Sequence, residues 1–198
     1  MKRLILSIVF CIIAFPLAAQ ETLISGDLQS GGFGGPVVKL SSVRGENAIL
    51  VGGRGGWVVN KSFVIGGGGY GLVTNHDART SINGITPRIR FGYGGLELEY
   101  INDADKLVHY GGMLLIGGGG VSLDTVKNGS WDNNHDQMMN DEVFVIEPSV
   151  NVELNVTDFF RVMFSGSYRF ISGVTISGAK NSDLTCPSAV LTLKFGVY

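Results

Sequence analysis

The sequence has little charge, few cysteines and no long apolar run beyond its first residues. Only 16% of its 198 residues are charged, against roughly 25% in ordinary soluble domains. The formal net charge is −2 and no run of lysine or arginine is present, so nucleic acid is not an expected partner. No stretch after residue 19 reaches the ~18 consecutive apolar residues of a membrane-spanning helix, which excludes a helical membrane span.

Residues 1–19 have the form of a secretory signal peptide. A positive Lys2-Arg3 pair is followed by an apolar run over residues 4–15 and by small residues ending at Ala19. The apolar run is shorter than the roughly 20 residues that span a bilayer, which favours cleavage over a retained anchor. Cleavage leaves Cys186 as the single cysteine, so no disulfide is available to stabilise the exported domain.

After the signal segment, the clearest pattern is the alternation of apolar and polar residues, which is typical of β-strands with two unlike faces. Even positions are apolar through residues 144–155, and alternation recurs in residues 160–170 and 189–197. The 30 glycines are clustered, without the every-third-residue period of collagen. We predict eight strands, near residues 36–43, 47–59, 62–75, 85–101, 106–123, 143–155, 159–174 and 187–198.

The predicted strands are joined by short connections on one side of the barrel and by long ones on the other, except for the first connection on the long side, residues 44–46, which is short. The short ones are at 60–61, 102–105 and 156–158, and the long ones are at 76–84, 124–142 and 175–186. An even number of strands of about ten residues, with short turns on one side, is typical of a transmembrane β-barrel. Closure also leaves no unpaired strand edge in the bilayer. The predicted fold is all-β, a closed antiparallel eight-stranded up-and-down barrel over residues 36–198, preceded by a flexible segment at 20–35.

One predicted strand changes the parity of its apolar residues. Positions 89, 91 and 93 are apolar before Gly94-Gly95, whereas positions 96, 98 and 100 are apolar after it. One inserted residue would restore a constant face, and glycine tolerates that geometry. We therefore predict a β-bulge at Gly94-Gly95.

Alternation alone does not show which face of the barrel contacts water, because a soluble lipocalin-like barrel has the same period with its apolar side chains inside. The low charge and the aromatic residues near the short turns favour a membrane barrel with an interfacial girdle. The predicted girdle consists of Trp57, Phe63, Tyr100, Phe159, Phe160 and Tyr198. A soluble barrel that binds an apolar ligand is the alternative.

With the apolar face outward, the polar face forms a charged interior. Its predicted members are Arg54, Arg88, Arg90, Glu97, Glu99, His109, Glu147, Glu153, Arg161 and Arg169. An eight-stranded barrel is just wide enough for its own side chains. We therefore expect a packed network of ion pairs and hydrogen bonds, without an open pore.

Five segments carry a family resemblance, namely residues 31–36, 52–57, 63–70, 144–155 and 194–198. Through them the chain resembles the small outer-membrane β-barrels of Gram-negative bacteria, the OmpA/OmpX-like superfamily, and within it a glycine-rich group of exported barrels. The resemblance implies an outer-membrane location, contact with outer-membrane lipid and passage through the barrel assembly machinery, but no assigned chemistry. One departure is Tyr198, which shares its parity with Lys194 and not with the apolar Phe195 and Val197.

Catalytic chemistry has two sets of loop candidates. Some small outer-membrane barrels modify lipid A with a histidine near the extracellular rim, and the residues that could serve here are His76, Asp77, Ser81, His135 and Asp136. Sequence spacing does not show whether a histidine is within reach of a nucleophile. We predict no catalytic residue and no cofactor.

The longest loop, residues 124–142, is acidic but lacks the glycine and final glutamate of an EF-hand, so no metal site is predicted. Its apolar residues Trp131, Met138 and Met139 are candidates for contact with a partner. The sequence thus predicts an outer-membrane barrel with a structural or surface-interaction role. The alternatives are a lipocalin-like binder and a lipid A modifying enzyme.

Overall fold

The computed structural model describes residues 29–78, 81, 86–124 and 137–198. Over these residues the chain forms eight antiparallel strands that close into a barrel in sequence order. The strands are β1 (Ser30–Val43), β2 (Glu46–Val59), β3 (Phe63–Leu72), β4 (Arg88–Asn102), β5 (Val108–Asp124), β6 (Gln137–Asn155), β7 (Phe160–Ser172) and β8 (Cys186–Val197), and a one-turn helix α1 (Asn181–Leu184) precedes β8. The predicted up-and-down barrel is confirmed. None of the described helices is long and apolar enough to cross a membrane.

Tight turns make the short connections possible. Arg44 and Gly45 join β1 to β2 with positive φ values of 57° and 81°, the conformation of the turns that suit twisted hairpins. Asn60 and Lys61 join β2 to β3 with φ values of 50° and 57°. Antiparallel pairing of β1 with β8 closes the barrel, and Tyr198 lies at the short-turn end.

Several strand boundaries differ from the sequence prediction. β1 begins at Ser30, inside the segment predicted to be flexible, and pairs with β2 from its first residue. β6 begins at Gln137 instead of residue 143. Glycine explains the first difference, because residues 31–35 contain four glycines that show no alternation. The signal peptide and residues 20–28 lie outside the described residues.

β4 has no bulge at Gly94-Gly95, which corrects the prediction. Its pairing with β3 and β5 runs without interruption across both glycines. Odd positions face inward along the whole strand, so Ile89 and Glu97 are both buried, at 2% and 1% exposure. The register is constant. The inward face changes from apolar residues such as Ile89 to charged residues such as Glu97, and the outward face changes in the opposite sense, from Arg90 to Leu98.

The same inversion places Arg88 and Arg90 outside the barrel, which corrects their predicted place in the interior. Both are exposed because they have even parity at the long-loop end of β4. A bulge at Gly94-Gly95 would have turned both arginines inward, but the pairing of β4 continues across the two glycines.

The interior has apolar ends and a polar middle. At the long-loop end, strand residues pack with residues of the loop that follows β7; this apolar cluster includes Val43, Leu50, Ile89, Phe91, Val121, Leu123, Val143, Val145, Ile176 and Leu184. At the short-turn end a smaller cluster contains Phe33, Val58, Val64, Ile101 and Ala104, with Tyr198 packed against it. Buried charged side chains fill the space between them.

Candidate functional site

The charged interior is organised around Lys194 and Arg54. Lys194 Nζ lies 2.9 Å from Glu99 Oε1 and 2.6 Å from Glu153 Oε2. Arg54 Nη2 lies 2.8 Å from Glu99 Oε2, and its Nε lies 2.7 Å from Glu97 Oε2. These side chains come from four strands, so the ion pairs connect opposite walls of the barrel.

Glu153 extends this cluster towards the short turns. Arg161 Nη1 lies 3.2 Å from Glu153 Oε1, and His109 Nε2 lies 3.4 Å from the same oxygen. His109 Nδ1 contacts the Lys106 carbonyl oxygen at 3.2 Å. His109 therefore lies at the short-turn edge of this cluster.

A second cluster surrounds Glu147, nearer the long loops. Lys39 Nζ lies 3.0 Å from Glu147 Oε2 and 3.6 Å from the centre of the Tyr70 ring. Tyr93 Oη donates to Glu147, and Ser167 Oγ donates to it at 2.6 Å. Tyr70 donates to Glu97 and thereby joins the two clusters.

Arg169 is held mainly by uncharged partners. Its side chain is fully buried. Its Nε donates to the Leu184 carbonyl at 3.0 Å, and its Nη2 lies 3.1 Å from Cys186 Sγ. The guanidinium also lies 5.2 Å from the centre of the Phe91 ring, at a distance suited to a cation–π contact. Arg169 therefore connects the polar interior to the segment that follows β7 through its hydrogen bond to the Leu184 carbonyl.

The buried charges nearly balance. On the described strands, the buried cations are Lys39, Arg54, Arg161, Arg169 and Lys194, and the buried anions are Glu97, Glu99, Glu147 and Glu153; Asp183 of α1 is a further buried anion. Sequence analysis missed both lysines. Lys194 had a usable signal, because it shares the parity of the buried Thr192 in a clearly alternating segment.

Little space remains among these side chains. The interior cavity lined by Ser165 and Thr192 has a volume of about 10 Å³, which holds one water at most. Neither hydroxyl has a hydrogen-bond partner within the chain, so a single water there would satisfy both. The described interior has no room for an apolar ligand of the lipocalin kind.

The segment between β7 and β8 closes the long-loop end. Asp141, on β6, accepts hydrogen bonds from the backbone N–H groups of Thr175 and Ile176. Leu184 of α1 is fully buried, and Arg44 N donates to the Asp183 carbonyl at 2.8 Å. The segment is thus fixed by polar contacts at its edges and by apolar packing beneath.

Most of the predicted aromatic girdle faces outward. Trp57, Phe63, Tyr100 and Phe159 are 50%, 57%, 48% and 58% exposed, and the Phe160 ring stacks on Phe195 at 4.9 Å. They lie near the short turns, as an interfacial belt requires.

Tyr198 is the exception and corrects its predicted place in the girdle. Its ring stacks on the buried Phe33 at 6.1 Å, and the Arg161 guanidinium lies 3.5 Å from its ring centre. The cause is its parity, which it shares with the buried Lys194. The terminal aromatic therefore closes the short-turn end from inside.

His76 has a defined environment at the long-loop rim. It is 4% exposed, its Nε2 lies 2.9 Å from Thr74 Oγ1, and its Nδ1 lies 3.3 Å from Glu46 Oε2. Asp77 and Ser81 are exposed, so the partners of the histidine are not the ones predicted. Neither Thr74 nor Glu46 was singled out from sequence.

The remaining loop candidates fall beyond what the structure describes. Trp131, His135 and Asp136 lie outside the described residues, and of Met138 and Met139 only the backbone, in β6, is described. Among the described residues, no group of histidine, cysteine and acidic side chains is arranged to hold a metal ion.

An ion pair also forms within the turn between β4 and β5. Lys106 Nζ donates to Asp103 Oδ2 at 2.8 Å. This hydrogen bond holds the pKa of Asp103 below its usual range and raises the pKa of Lys106. Both groups are exposed, so the pair is a local feature of the turn.

Comparison with known proteins gives matches to solved structures alone. No protein-family model matches the chain, and no curated protein matches its sequence. Neisserial surface protein A superimposes with a TM-score of 0.54 at 13% identity, over 87% of this chain and 99% of that one. The N-terminal β-barrel domain of Pseudomonas aeruginosa OprF superimposes with a TM-score of 0.50 at 10% identity, over 86% and 99%. The chain therefore has the fold of the small eight-stranded barrels of Gram-negative outer membranes.

Proposed function

We propose that the protein is an integral barrel of the Gram-negative outer membrane that presents its long loops to partners at the cell surface. The observation that carries the proposal is the contrast between its two faces. Outward-facing Leu98 and Phe164 are 43% and 59% exposed, whereas Glu97 and Glu153 inside are 1% and 2% exposed. In water this arrangement would expose a large apolar belt, but in a bilayer the belt is buried in lipid.

A structural or interaction role fits this barrel better than transport. Ion pairs cross the lumen, and the segment held by Asp141 closes the long-loop end. The interaction role is assigned to the long loops because they lie at the end opposite the short turns, which in barrels of this kind is the extracellular end. Trp131, Met138 and Met139 are our candidates for the contact with a partner, since apolar side chains in a long loop gain most from being covered.

Cell fractionation tests the location. We expect the full chain in the outer-membrane fraction, resistant to alkaline carbonate, with different gel mobility in unboiled and boiled samples. An epitope inserted after residue 130 should bind antibody on intact cells, and one inserted after Asn60 should not. Recovery of the protein in the soluble periplasm would contradict the proposal.

A second candidate function is ester hydrolysis, which the surroundings of His76 favour. Thr74, His76 and Glu46 form a hydroxyl–imidazole–carboxylate series, with the spacing of a nucleophile, its base and an orienting acid. The Ile49 N–H donates to Thr74 Oγ1 at 3.2 Å, which leaves the hydroxyl proton for His76. Thr74 is partly exposed, so a substrate has a route to it.

Hydrolysis of a short-chain nitrophenyl ester by the purified barrel tests this second function. Thr74→Val and His76→Asn should reduce the rate to that of the buffer, while Ser81→Ala and His135→Ala should leave it unchanged. Wild-type protein with no rate above buffer would rule the hydrolase out.

A further inference from the structure

The hydroxyl of Thr74 lies at the margin of the apolar belt nearest the long loops. Ile49 on β2 and Val73 directly after β3 are the last outward apolar residues before the loops, and they are 38% and 54% exposed. The next outward position on β2 is Asn47, and Asn75 follows Thr74; both asparagines are exposed. The outer face of this hairpin therefore changes from apolar to polar at the level of Thr74.

Hydrogen bonds with the backbone hold the hydroxyl at this margin. The Val73 N–H donates to the Ile49 carbonyl oxygen at 3.0 Å, and the Ile49 N–H donates to Thr74 Oγ1 at 3.2 Å. These bonds continue the pairing of β2 with β3 beyond Leu72. The Ile49 side chain begins at the Cα bonded to that donor nitrogen. A hydrocarbon chain in contact with Ile49 would therefore have its polar end near Thr74 Oγ1.

The apolar surface beside the hydroxyl extends onto β1. Leu40 pairs with Ile49, and one row nearer the short turns Val38 pairs with Val51; all four side chains are exposed. In a bilayer these residues are covered by acyl chains. The ester groups of a lipid lie at the boundary between the hydrocarbon core and the headgroups, which is the level at which this face changes polarity. The hydroxyl and a lipid ester thus lie at the same depth.

The general base lies on the inner side of the hydroxyl. His76 is buried, with its Nε2 2.9 Å from Thr74 Oγ1 and its Nδ1 3.3 Å from Glu46 Oε2. The Ile89 N–H donates to the His76 carbonyl oxygen at 2.8 Å, so the backbone that carries the imidazole is fixed to β4. The outward side of the hydroxyl, where Ile49 is exposed, is therefore the side from which an acyl chain can approach.

We propose that Thr74, His76 and Glu46 hydrolyse an ester-linked acyl chain of a membrane lipid in the leaflet at the long-loop end. The inference rests on the second candidate function and names its substrate class. Thr74 Oγ1 attacks the ester carbonyl carbon while its proton passes to His76 Nε2. The bond from that carbon to the lipid oxygen then breaks, and the imidazole gives the proton to the departing lipid hydroxyl. Water hydrolyses the acyl-threonine ester by the same route, which releases a fatty acid and restores the Thr74 hydroxyl.

Release of free fatty acid tests the proposal with two sources of lipid ester. The full chain is reconstituted into vesicles of phosphatidylethanolamine and phosphatidylglycerol and, separately, into mixed micelles of detergent and lipopolysaccharide. We expect one source to release fatty acid about 100-fold faster with the wild-type chain than with His76→Asn, which is the smaller contribution usual for a general base. Thr74→Val should abolish the release. The source that reacts identifies the lipid.

Val73→Asn tests the contact with the acyl chain. It should slow hydrolysis of the lipid several-fold more than hydrolysis of the short-chain nitrophenyl ester, because only the lipid chain reaches the apolar belt. Val108→Asn is the matched control, since Val108 is also 54% exposed but lies at the short-turn end of β5, and it should change neither rate. Each variant is first checked for the heat-dependent gel shift of a closed barrel.

Two results would overturn the proposal and leave the hydrolase standing. One is hydrolysis of the short-chain ester without release of fatty acid from either lipid source, and the other is an equal effect of Val73→Asn on lipid and short-chain ester. Absence of hydrolysis of every ester would reject the hydrolase itself. The assays use purified protein, so a failure of the proposed outer-membrane location would be seen separately, by fractionation.

Discussion

Lys194 Nζ lies 2.6 Å from Glu153 Oε2 inside the barrel, and neither side chain is more than 3% exposed. The same ammonium contacts Glu99 at 2.9 Å. One lysine on the last strand thus neutralises carboxylates of β6 and β4. Docking of β8 between β7 and β1 therefore brings into the interior the ammonium that these two carboxylates share.

Removing the Lys194 ammonium should destabilise the barrel strongly. Lys194→Met leaves two buried carboxylates without this partner, and breaking a buried pair in this way costs about 3–5 kcal/mol. Urea unfolding in lipid vesicles measures the loss. Adding Glu153→Gln should recover part of it, because it removes one negative charge and restores the charge balance that Lys194→Met disturbs.

Lys106→Met is the control for that measurement. Lys106 pairs with Asp103 in an exposed turn, where solvent screens the charges, so the unfolding midpoint should stay unchanged. Equal effects of Lys194→Met and Lys106→Met would show that the interior ion pairs do not hold the barrel together.

The two classes of glycine should respond differently to alanine. The Cβ of Gly95→Ala would lie 2.3 Å from the Ile116 oxygen and 2.6 Å from the Gly117 Cα, both backbone atoms of the next strand, so the barrel should not close. Gly69→Ala meets no atom within 4 Å and should stabilise it by about 0.5–1 kcal/mol. The fraction that shows a heat-dependent gel shift reports closure. Similar yields for both variants would contradict this explanation of the glycines.

The sequence predicted the barrel because strand alternation and turn length are local signals. Residues 144–155 and 160–170 alternate clearly, and both segments are strands of the barrel. The ion-pair members Glu97, Glu99 and Arg161 follow from the same parity. The partners of these residues cannot be predicted in this way, because contacts such as that of Lys194 with Glu99 cross the lumen between strands that are far apart in the chain.

The two errors on β4, the predicted bulge and the inward placement of its arginines, have one physical cause. Sequence analysis assumed that each face keeps its polarity along a strand, but the two faces of β4 exchange polarity at Gly94-Gly95, as the proposed membrane location predicts for a strand that extends beyond the bilayer. Beyond that boundary the apolar Ile89 packs inside and Arg90 faces outward, as in a soluble protein. The change of parity was therefore taken for a bulge. Thr74 and Glu46 were missed because their contact with His76 depends on where β2 begins and β3 ends.

Asp141 should control the segment that closes the long-loop end. Its carboxylate accepts the backbone N–H groups of Thr175 and Ile176 and the Thr175 hydroxyl. Asp141→Ala removes the acceptor of all three hydrogen bonds, so the segment 173–185 should open more often. Limited proteolysis of the folded barrel should then cut there several-fold faster. Asp105→Ala, at an exposed ion pair with Lys61, should not change the rate, and a rate unchanged in Asp141→Ala would show that apolar packing alone holds the segment.

If the barrel spans a membrane as proposed, the edge of the bilayer nearer the long loops should lie between Arg90 and Leu98 on β4. Both face outward, at 57% and 43% exposure, but one is charged and the other apolar. In a Cys186→Ala background, Arg90→Cys should react quickly with a membrane-impermeant maleimide in lipid vesicles, whereas Leu98→Cys should react only after detergent is added. Ile89→Cys should be slow in both conditions, because residue 89 is 2% exposed inside the barrel. Equal labelling of positions 90 and 98 in vesicles would mean that water covers the whole outer face, and the barrel would then be a soluble one.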